Sequence, residues 1–300
     1  MINEIICPKC KNKEIVKRGH IETKLSGKKQ RYFCKSCYKK FIPQNPFFRM
    51  RNTPEKITCA LDLFYRGLST RDVQNHFKAF YPHNSDHSTI LRWIRKFSLK
   101  IANFTDNLKV QTGSYMEIDE MEFHRRKSHK KGKKGIDKNW FIDGIDVKTR
   151  FMVSSKYAKA RNKKEIKEVL TKIKEKANIS RPRLMLTTDG LQLYQDCVQK
   201  VWGYYNLKKG LIEHNVVTQS KGEGFNIWVE RLHNSIRQRT KGFRGLHGSL
   251  ESAYALMKGL EIYYNFIRKH EALKGKTPSD LAIPDLKLEM NKWLDLINLS

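Results

Sequence analysis

The chain has 300 residues, with 60 lysines and arginines against 30 aspartates and glutamates, and a formal net charge of +30. This charge predicts a polyanionic partner, for which nucleic acid is a better candidate than a membrane surface. A hydrophobic fraction of 39% excludes wholesale disorder. The sequence has no apolar run long enough to span a bilayer and no apolar signal-peptide core. We expect a soluble cytoplasmic protein associated with the nucleoid, with neither a membrane partner nor a small-molecule substrate.

Residues 1–47 carry two Cys-x-x-Cys pairs, separated by two strand-like pieces on either side of Gly27. Each pair makes a tight turn that directs two thiolates at one ion. Two such turns on a hairpin form the closed, tetrahedral site of structural zinc. We therefore predict a zinc ribbon that holds one Zn²⁺, and the alternative is two unrelated pairs of thiols. The predicted ligands are Cys7, Cys10, Cys34 and Cys37.

Residues 53–104 have the pattern of three helices. The first begins at Pro54 and ends at Gly67, the second begins with a capping box of Ser69 and Asp72, and the third begins near Ser88. Three short helices of which the last is basic predict an all-α helix-turn-helix DNA-binding domain. The long connection before the third helix leaves a plain helical bundle as the alternative. The predicted DNA contacts on the third helix are Arg92, Arg95 and Lys96.

Residues 105–114 are predicted to be a linker. In the next stretch, Tyr115–Phe123, apolar and acidic residues alternate at the period of a strand, and four carboxylates fall within six positions. A strand carboxylate surrounded by basic residues predicts a metal ligand in a site for a polyanion, with Asp119 at its centre. The basic run that follows is either a solvated hairpin loop or a phosphate contact. Its candidate DNA contacts are Arg125, Arg126, Lys130, Lys131, Lys133 and Lys134.

The rest of the chain predicts an α/β domain with a mixed sheet. Strands are expected at 139–147, 150–157, 183–189 and 212–217, and helices at 162–177, 191–202, 224–239 and 250–267. The strand at 183–189 ends on Asp189, and the helix at 224–239 presents Glu230 on a polar stripe with Asn226 and Arg237. Carboxylates alone select hard ions such as Mg²⁺ or Mn²⁺. Spacing does not single out Asp119, Asp189 and Glu230 from the other acids.

The sequence resembles the prokaryotic insertion-sequence transposases of the DDE class, which have an RNase H-like (retroviral-integrase-like) catalytic core. The matching motifs are Ile118-Asp119-Glu120, Thr188-Asp189-Gly190 with Tyr194, and Asn226-x-x-x-Glu230-Arg231. The segment Tyr264–His270 and the following Lys276–Ser279 are similar to the tail that closes many integrase-like cores. The resemblance implies a multidomain chain with a zinc ribbon at 1–47, a helix-turn-helix domain at 53–104, a catalytic core with a C-terminal helix at 115–284 and a C-terminal tail at 285–300.

The resemblance also implies the residue roles. Asp119, Asp189 and Glu230 would bind two Mg²⁺ or Mn²⁺ ions and catalyse cleavage and joining of DNA strands. Glu120 and Asn226 would support them, and Arg237 is a further candidate DNA contact. The partners would be double-stranded DNA, as transposon ends and as target, and further copies of the chain on DNA. Two alternatives remain, a DNA-binding regulator derived from a transposase and an RNase H-fold nuclease or resolvase.

Overall fold

The computed structural model describes residues 5–23, 27–43, 45–81, 85–126, 136–179, 183–217, 226–241 and 246–300. The described chain divides into two compact units, Met1–Cys59 and Ala60–Ser300. Four of the predicted DNA contacts, Lys130, Lys131, Lys133 and Lys134, lie outside the described residues.

The first unit contains a three-stranded antiparallel sheet of β1 (Ile15–Thr23), β2 (Gly27–Cys34) and β3 (Lys40–Phe41). The two strand-like pieces of the sequence form its central hairpin, β1 and β2. Its buried centre consists of Cys7, Cys34 and Phe41. Such a small apolar centre contributes little to folding, and this favours a metal-stabilised ribbon.

The three predicted helices form as α1 (Pro54–Tyr65), α2 (Thr70–Phe80) and α3 (His87–Thr105). α1 begins at the predicted proline. The Ser69–Asp72 capping box is present at the start of α2. α3 begins one residue earlier than predicted because Asp86 accepts a hydrogen bond from the backbone N–H of Ser88 and caps it.

The second unit contains the remaining elements. In chain order they are β4 (Val110–Thr112), β5 (Tyr115–Glu122), β6 (Arg125–Arg126), β7 (Ile136–Asp137), β8 (Trp140–Asp146), β9 (Met152–Ala158), α4 (Lys163–Lys176), β10 (Ala177–Ile179), β11 (Leu184–Thr188), α5 (Leu193–Trp202), α6 (Tyr204–Lys208), β12 (Ile212–Val216), α7 (Ile227–Lys241), β13 (Leu246–His247), α8 (Leu250–Ile262), α9 (Pro278–Ala282) and α10 (Lys292–Leu299).

A five-stranded mixed sheet organises this unit, with strand order β12-β11-β5-β8-β9. β11 is parallel to both β5 and β12, whereas β5, β8 and β9 are antiparallel neighbours. The two faces of the sheet hold different helices because successive strand residues point to opposite sides. On one face α4 packs against Gly144, where an added Cβ would lie 2.6 Å from Ile173 Cδ1. On the other face His233 of α7 contacts Asp143.

The predicted linker at 105–114 contains a strand that the sequence analysis did not predict. β4 pairs in parallel with β10, which directly follows α4. Val110 and Thr112 are buried, whereas Gln111 between them is exposed. A three-residue strand is too short for its alternation to stand out in the sequence, and its pairing depends on a segment more than 60 residues away.

The C-terminal helices pack against the sheet and against the preceding helices. α8 continues into a π-helical turn at Tyr263–Ile267. In this turn the Asn265 amide exchanges two hydrogen bonds, of 2.8 and 2.9 Å, with the backbone of Met152 on β9. The predicted tail at 285–300 includes the helix α10, whose Trp293 ring stacks 5.5 Å from the ring of Tyr65. None of the helices within the described ranges is long and apolar enough to cross a membrane.

Candidate active site

Two neighbouring strands bring Asp119 and Asp189 together. β11 and β5 are paired in parallel, with Thr187 opposite Glu117. Extending this register by two residues places Asp189 beside Asp119, at the point where β11 ends. The backbone N–H of Leu191 donates to Asp189 Oδ1 over 3.0 Å and orients that carboxylate. The sheet topology, more than any local motif, therefore assembles this pair of acids.

Asp119, Asp189 and Glu120 form a compact group of carboxylates. Each offers an oxygen, and these oxygens lie within 4.8 Å of one another. Burial raises the pKa of Asp119 to about 7 because removal from water penalises its charged form, and the nearby Glu120 charge acts in the same direction. A group of acids that repel each other in a half-buried site fits a hard divalent cation, which would supply the missing positive charge.

The two oxygens of Glu120 already have protein partners. Oε1 pairs with Arg161 Nη1 at 2.7 Å, and Oε2 accepts a hydrogen bond of 2.6 Å from the Tyr194 hydroxyl. The Glu120 side chain is only 1% exposed. To bind an ion, at least one of these oxygens would have to exchange or share its partner, which is consistent with the supporting role that the resemblance implies for Glu120.

A buried histidine connects Asp119 to a further carboxylate. His233 Nε2 lies 2.7 Å from Asp143 Oδ1, and His233 Nδ1 lies 3.7 Å from Asp119 Oδ2. Asp143 is fully buried, and its Oδ2 has no hydrogen-bond partner in the described part of the chain. Burial lowers the pKa of His233, but the Asp143 carboxylate outweighs that effect and raises it above its ordinary value. β8 thus orients Asp119 indirectly, through α7.

Glu117 anchors the start of α7 to the central strand. Its Oε2 accepts hydrogen bonds from the backbone N–H groups of Trp228, at 2.7 Å, and Val229, at 3.0 Å. These donors belong to the first helical turn, where backbone N–H groups lack partners within the helix. A carboxylate is favoured at this end of a helix by the macrodipole. Glu117 lies two residues before Asp119 on β5. It therefore fixes the helix that carries Glu230.

Glu230 follows the anchored residues directly. It is half-buried, and its charge contributes to the raised pKa of Glu117, whose largest cause is burial. Glu230 is not a member of the group of carboxylates within 4.8 Å. Asn226, the other predicted residue at this end of α7, is 6% exposed. Its Oδ1 has no hydrogen-bond partner in the described residues.

The predicted DNA contacts within the described ranges lie on three elements. On α3, Arg92 and Lys96 are exposed, whereas Arg95 is half-buried. Arg237 is exposed on α7 and donates to Asn234 over 3.3 Å. Arg125 and Arg126 form the short strand β6, whose backbone pairs with β7 and β13.

The four N-terminal cysteines converge in the first unit. Their sulfurs lie within 4.8 Å of one another, with 3.4 Å between Cys7 and Cys37 and 3.5 Å between Cys10 and Cys34. A tetrahedral zinc site with Zn–S bonds of about 2.3 Å has S···S edges of roughly 3.8 Å, so the cluster is compatible with this ion.

The two cysteine turns have the same backbone geometry. The carbonyl of Cys7 accepts from the N–H of Lys11 at 2.9 Å, and the carbonyl of Cys34 accepts from the N–H of Tyr38 at 3.0 Å. Lys11 and Tyr38 both have a φ of 59°, a left-handed conformation that costs energy for a residue with a side chain. The two turns thus share the same strained left-handed residue, and together they direct the four sulfurs at one point.

We expect one zinc ion per chain in the full-length protein. Serine at both Cys7 and Cys34 removes two thiolates and should abolish this zinc, because a structural site needs all four ligands. The matched control is serine at Cys59 and Cys197, which lie outside the cluster. Metal analysis of protein purified without chelator measures the result. Equal zinc content in the two double variants would contradict the assignment.

Comparison with known proteins finds a family match for part of the second unit. Residues 138–271 match the family model DDE_Tnp_IS240, described as a DDE domain. The matched segment includes Asp189 and Glu230 and begins after Asp119. No curated protein matches the chain. Among solved structures, the "Crystal structure of the Mos1 Strand Transfer Complex" matches with 11% identity and a TM-score of 0.27, over 79% of this chain and 80% of that chain. A likeness this weak adds nothing to the argument.

Residues 138–271, a little under half of the chain, therefore match a DDE domain, and in the structure they include four strands of the mixed sheet. This match confirms the resemblance to the DDE transposases and supports the prediction of an enzyme.

Sequence reasoning missed the contacts of three residues in this site. Glu117 was visible only as one of four acids on a strand, and Asp143 and His233 had no distinguishing pattern. The alternation of β5 does place Glu117 on the same face as Asp119, which was the available signal. Their partners depend on where α7 and β8 pack.

Proposed function

We propose that this chain is a DDE transposase that binds the terminal inverted repeats of its own transposon, nicks the 3′ ends and joins each freed 3′-hydroxyl to target DNA. The observation that carries the proposal is the convergence of Asp119 and Asp189 on adjacent strands, beside a helix that presents Glu230, in a chain with a DDE domain. The excess of positive charge over the whole chain supports a DNA substrate.

Asp119, Asp189 and Glu230 are the proposed ligands of two Mg²⁺ or Mn²⁺ ions. When bound, such ions activate the attacking oxygen and stabilise the leaving oxygen of an in-line phosphoryl displacement. Asp119 is held towards α7 by His233, and Asp189 is held by the N–H of Leu191. Glu120 stays bonded to Arg161 and Tyr194 and supports the strand that carries Asp119.

The two N-terminal modules are proposed to read the transposon ends. A zinc ribbon at 1–47 and a helix-turn-helix domain at 53–104 precede the proposed catalytic core at 115–284. The exposed Arg92 and Lys96 on α3 are suited to phosphate or base contacts, and Arg95, Arg125, Arg126 and Arg237 are further proposed contacts. Work on both ends of one transposon also favours a homo-oligomer on DNA.

Cleavage and joining assays with end-labelled duplexes test this function. Full-length protein and Mg²⁺ should release a 3′-hydroxyl at the boundary of the terminal repeat and insert that end into a plasmid. Duplexes with scrambled ends should remain uncut. Specific binding without cleavage would indicate a regulator instead, and preferential cleavage of RNA–DNA hybrids or DNA junctions would indicate a nuclease or resolvase.

A further inference from the structure

A cavity of about 330 Å³ lies beside α7 in the second unit, outside the group of carboxylates. Three segments that are distant in the sequence contribute arginines to it. Arg150 follows β8, Arg231 belongs to α7, and Arg268 follows the π-helical turn. Trp228 and His270 complete the part of its lining that bears on the argument.

The positive charge of this cavity is not neutralised locally. None of the three arginines has an ion-pair partner among the residues that the structure describes. Arg150 Nη1 is buried, again without a hydrogen-bond partner in the described ranges. The nearest acids act on Arg150 from beyond ion-pair distance, and each already accepts hydrogen bonds from other donors. Glu117 accepts from the start of α7, and Asp146 accepts from Gly113 and Thr149.

The ring of Trp228 holds two of the guanidinium groups in place. The guanidinium carbon of Arg150 lies 3.0 Å from the ring centroid, and that of Arg231 lies 4.9 Å from it. Stacking on an aromatic face restricts a guanidinium group while its N–H donors at the rim remain available. Burial, with the charges of Arg268 and Arg150, lowers the pKa of His270 to about 4, so this ring is neutral near pH 7.

The cavity and the proposed catalytic residues lie on different flanks of α7. With 3.6 residues per turn, Trp228, Arg231 and Ser235 share one flank, and Glu230 and Arg237 share the other. The buried face of the helix, which includes Leu232, separates them. A helix with its side chains is about 10 Å across. A group bound in the cavity is therefore not the phosphate that would be cut.

We propose that this arginine cavity binds a backbone phosphate of DNA away from the cleavage point. A guanidinium fork matches the geometry of phosphate oxygens, and a partly desolvated cavity strengthens such charge-assisted hydrogen bonds. The volume accommodates a phosphate together with its sugar. The inference rests on the proposed function, since the phosphate is supplied by the same DNA that the enzyme cuts. A free phosphate has the same chemistry and is distinguished below.

Glutamine in place of Arg231 and Arg268, singly and together, removes the charge and the fork. Binding of full-length protein to a transposon-end duplex is measured over a salt series. The slope of log K against log[salt] should become shallower by about 0.9 for each phosphate that the variant no longer binds. The matched control is Arg183→Gln, which removes one exposed arginine at the start of β11, away from this cavity. It should leave the slope within error of the wild type.

Arg231→Lys refines the test because it keeps the charge and removes the fork. It should keep the wild-type slope and bind more weakly. A double glutamine variant that melts like the wild type and shows the slope of Arg183→Gln would overturn the proposal. Competition by millimolar inorganic phosphate, with no change of slope in the variants, would assign the cavity to free phosphate and also overturn it. A third outcome is that the variants differ in slope from the wild type as expected, but the wild type never nicks transposon ends. That outcome would contradict the proposed function alone.

Discussion

Replacement of Asp119 by asparagine is expected to slow strand cleavage by about 1000-fold or more, while binding to transposon ends persists. Asparagine keeps the shape of the side chain and removes the anionic oxygen that a hard divalent ion requires. The loss is large because the ion acts on the reacting phosphate itself. Single-turnover cleavage of an end-labelled duplex measures the rate, and a gel-shift assay measures binding.

Asp189→Asn and Glu230→Gln should give losses of the same order. In the proposed site the three acids act as one unit, so a double variant should lose little more than either single variant. The matched control is Glu122→Gln, which removes an acid of the same strand that is partly exposed beside His124 and Lys138. It should cleave at close to the wild-type rate.

The Glu120→Gln variant tests whether Glu230 or Glu120 is the third metal ligand beside Asp119 and Asp189. Glu120 lies within the compact group of acids, whereas Glu230 lies outside it. We expect the smaller loss for Glu120→Gln because Glu120 is already bonded to Arg161 and Tyr194. A severe loss at Glu120 with near wild-type cleavage by Glu230→Gln would reverse these two roles.

Replacement of His233 by alanine is expected to weaken metal-dependent cleavage by about 10- to 100-fold, the range for residues that orient metal ligands. The change leaves the buried Asp143 without its 2.7 Å partner and frees Asp119 to turn away from α7. The readout is the Mn²⁺ concentration at half-maximal cleavage, which should rise, while binding to transposon ends is unchanged.

A double variant, His233→Ala with Asp143→Ala, controls for a purely structural effect. Removing the unpaired buried charge should recover much of the thermal stability that His233→Ala loses. It should not restore the wild-type Mn²⁺ concentration for half-maximal cleavage, because Asp119 still lacks the neighbouring His233. A His233→Ala variant that cleaves with the wild-type Mn²⁺ requirement would show that the histidine only fills space.

Local patterns in the sequence were sufficient to predict the main elements. The alternation on β5, the strand that ends before Asp189 and the polar stripe of α7 each reflect a period within one element. That these elements form one site is a prediction from the family resemblance, and the structure brings Asp119 and Asp189 together. The parallel register of β5 and β11 supplies its physical basis.

The contacts that no local pattern encodes are those between distant segments. His233 meets Asp143 only because β8 lies beside β5 and α7 crosses that face of the sheet. The arginine cavity joins residues 150, 231 and 268, and each of them alone is an ordinary basic residue of a basic chain. Short pairings such as β4 with β10 escape sequence reasoning for the same reason.

The most direct test of the central claim places one sulfur atom at the cleavage point. The claim is that Asp119 and Asp189 hold a divalent metal ion against the phosphate that is cut. In a transposon-end duplex, a non-bridging oxygen of that phosphate is replaced by sulfur, and single-turnover nicking is followed in Mg²⁺ and in Mn²⁺. Sulfur is a poor ligand for Mg²⁺ and a better one for the softer Mn²⁺. One of the two sulfur diastereomers should be cut far more slowly than the oxygen substrate in Mg²⁺ and recover in Mn²⁺. Equal rates for oxygen and both sulfur substrates in Mg²⁺ would contradict the claim.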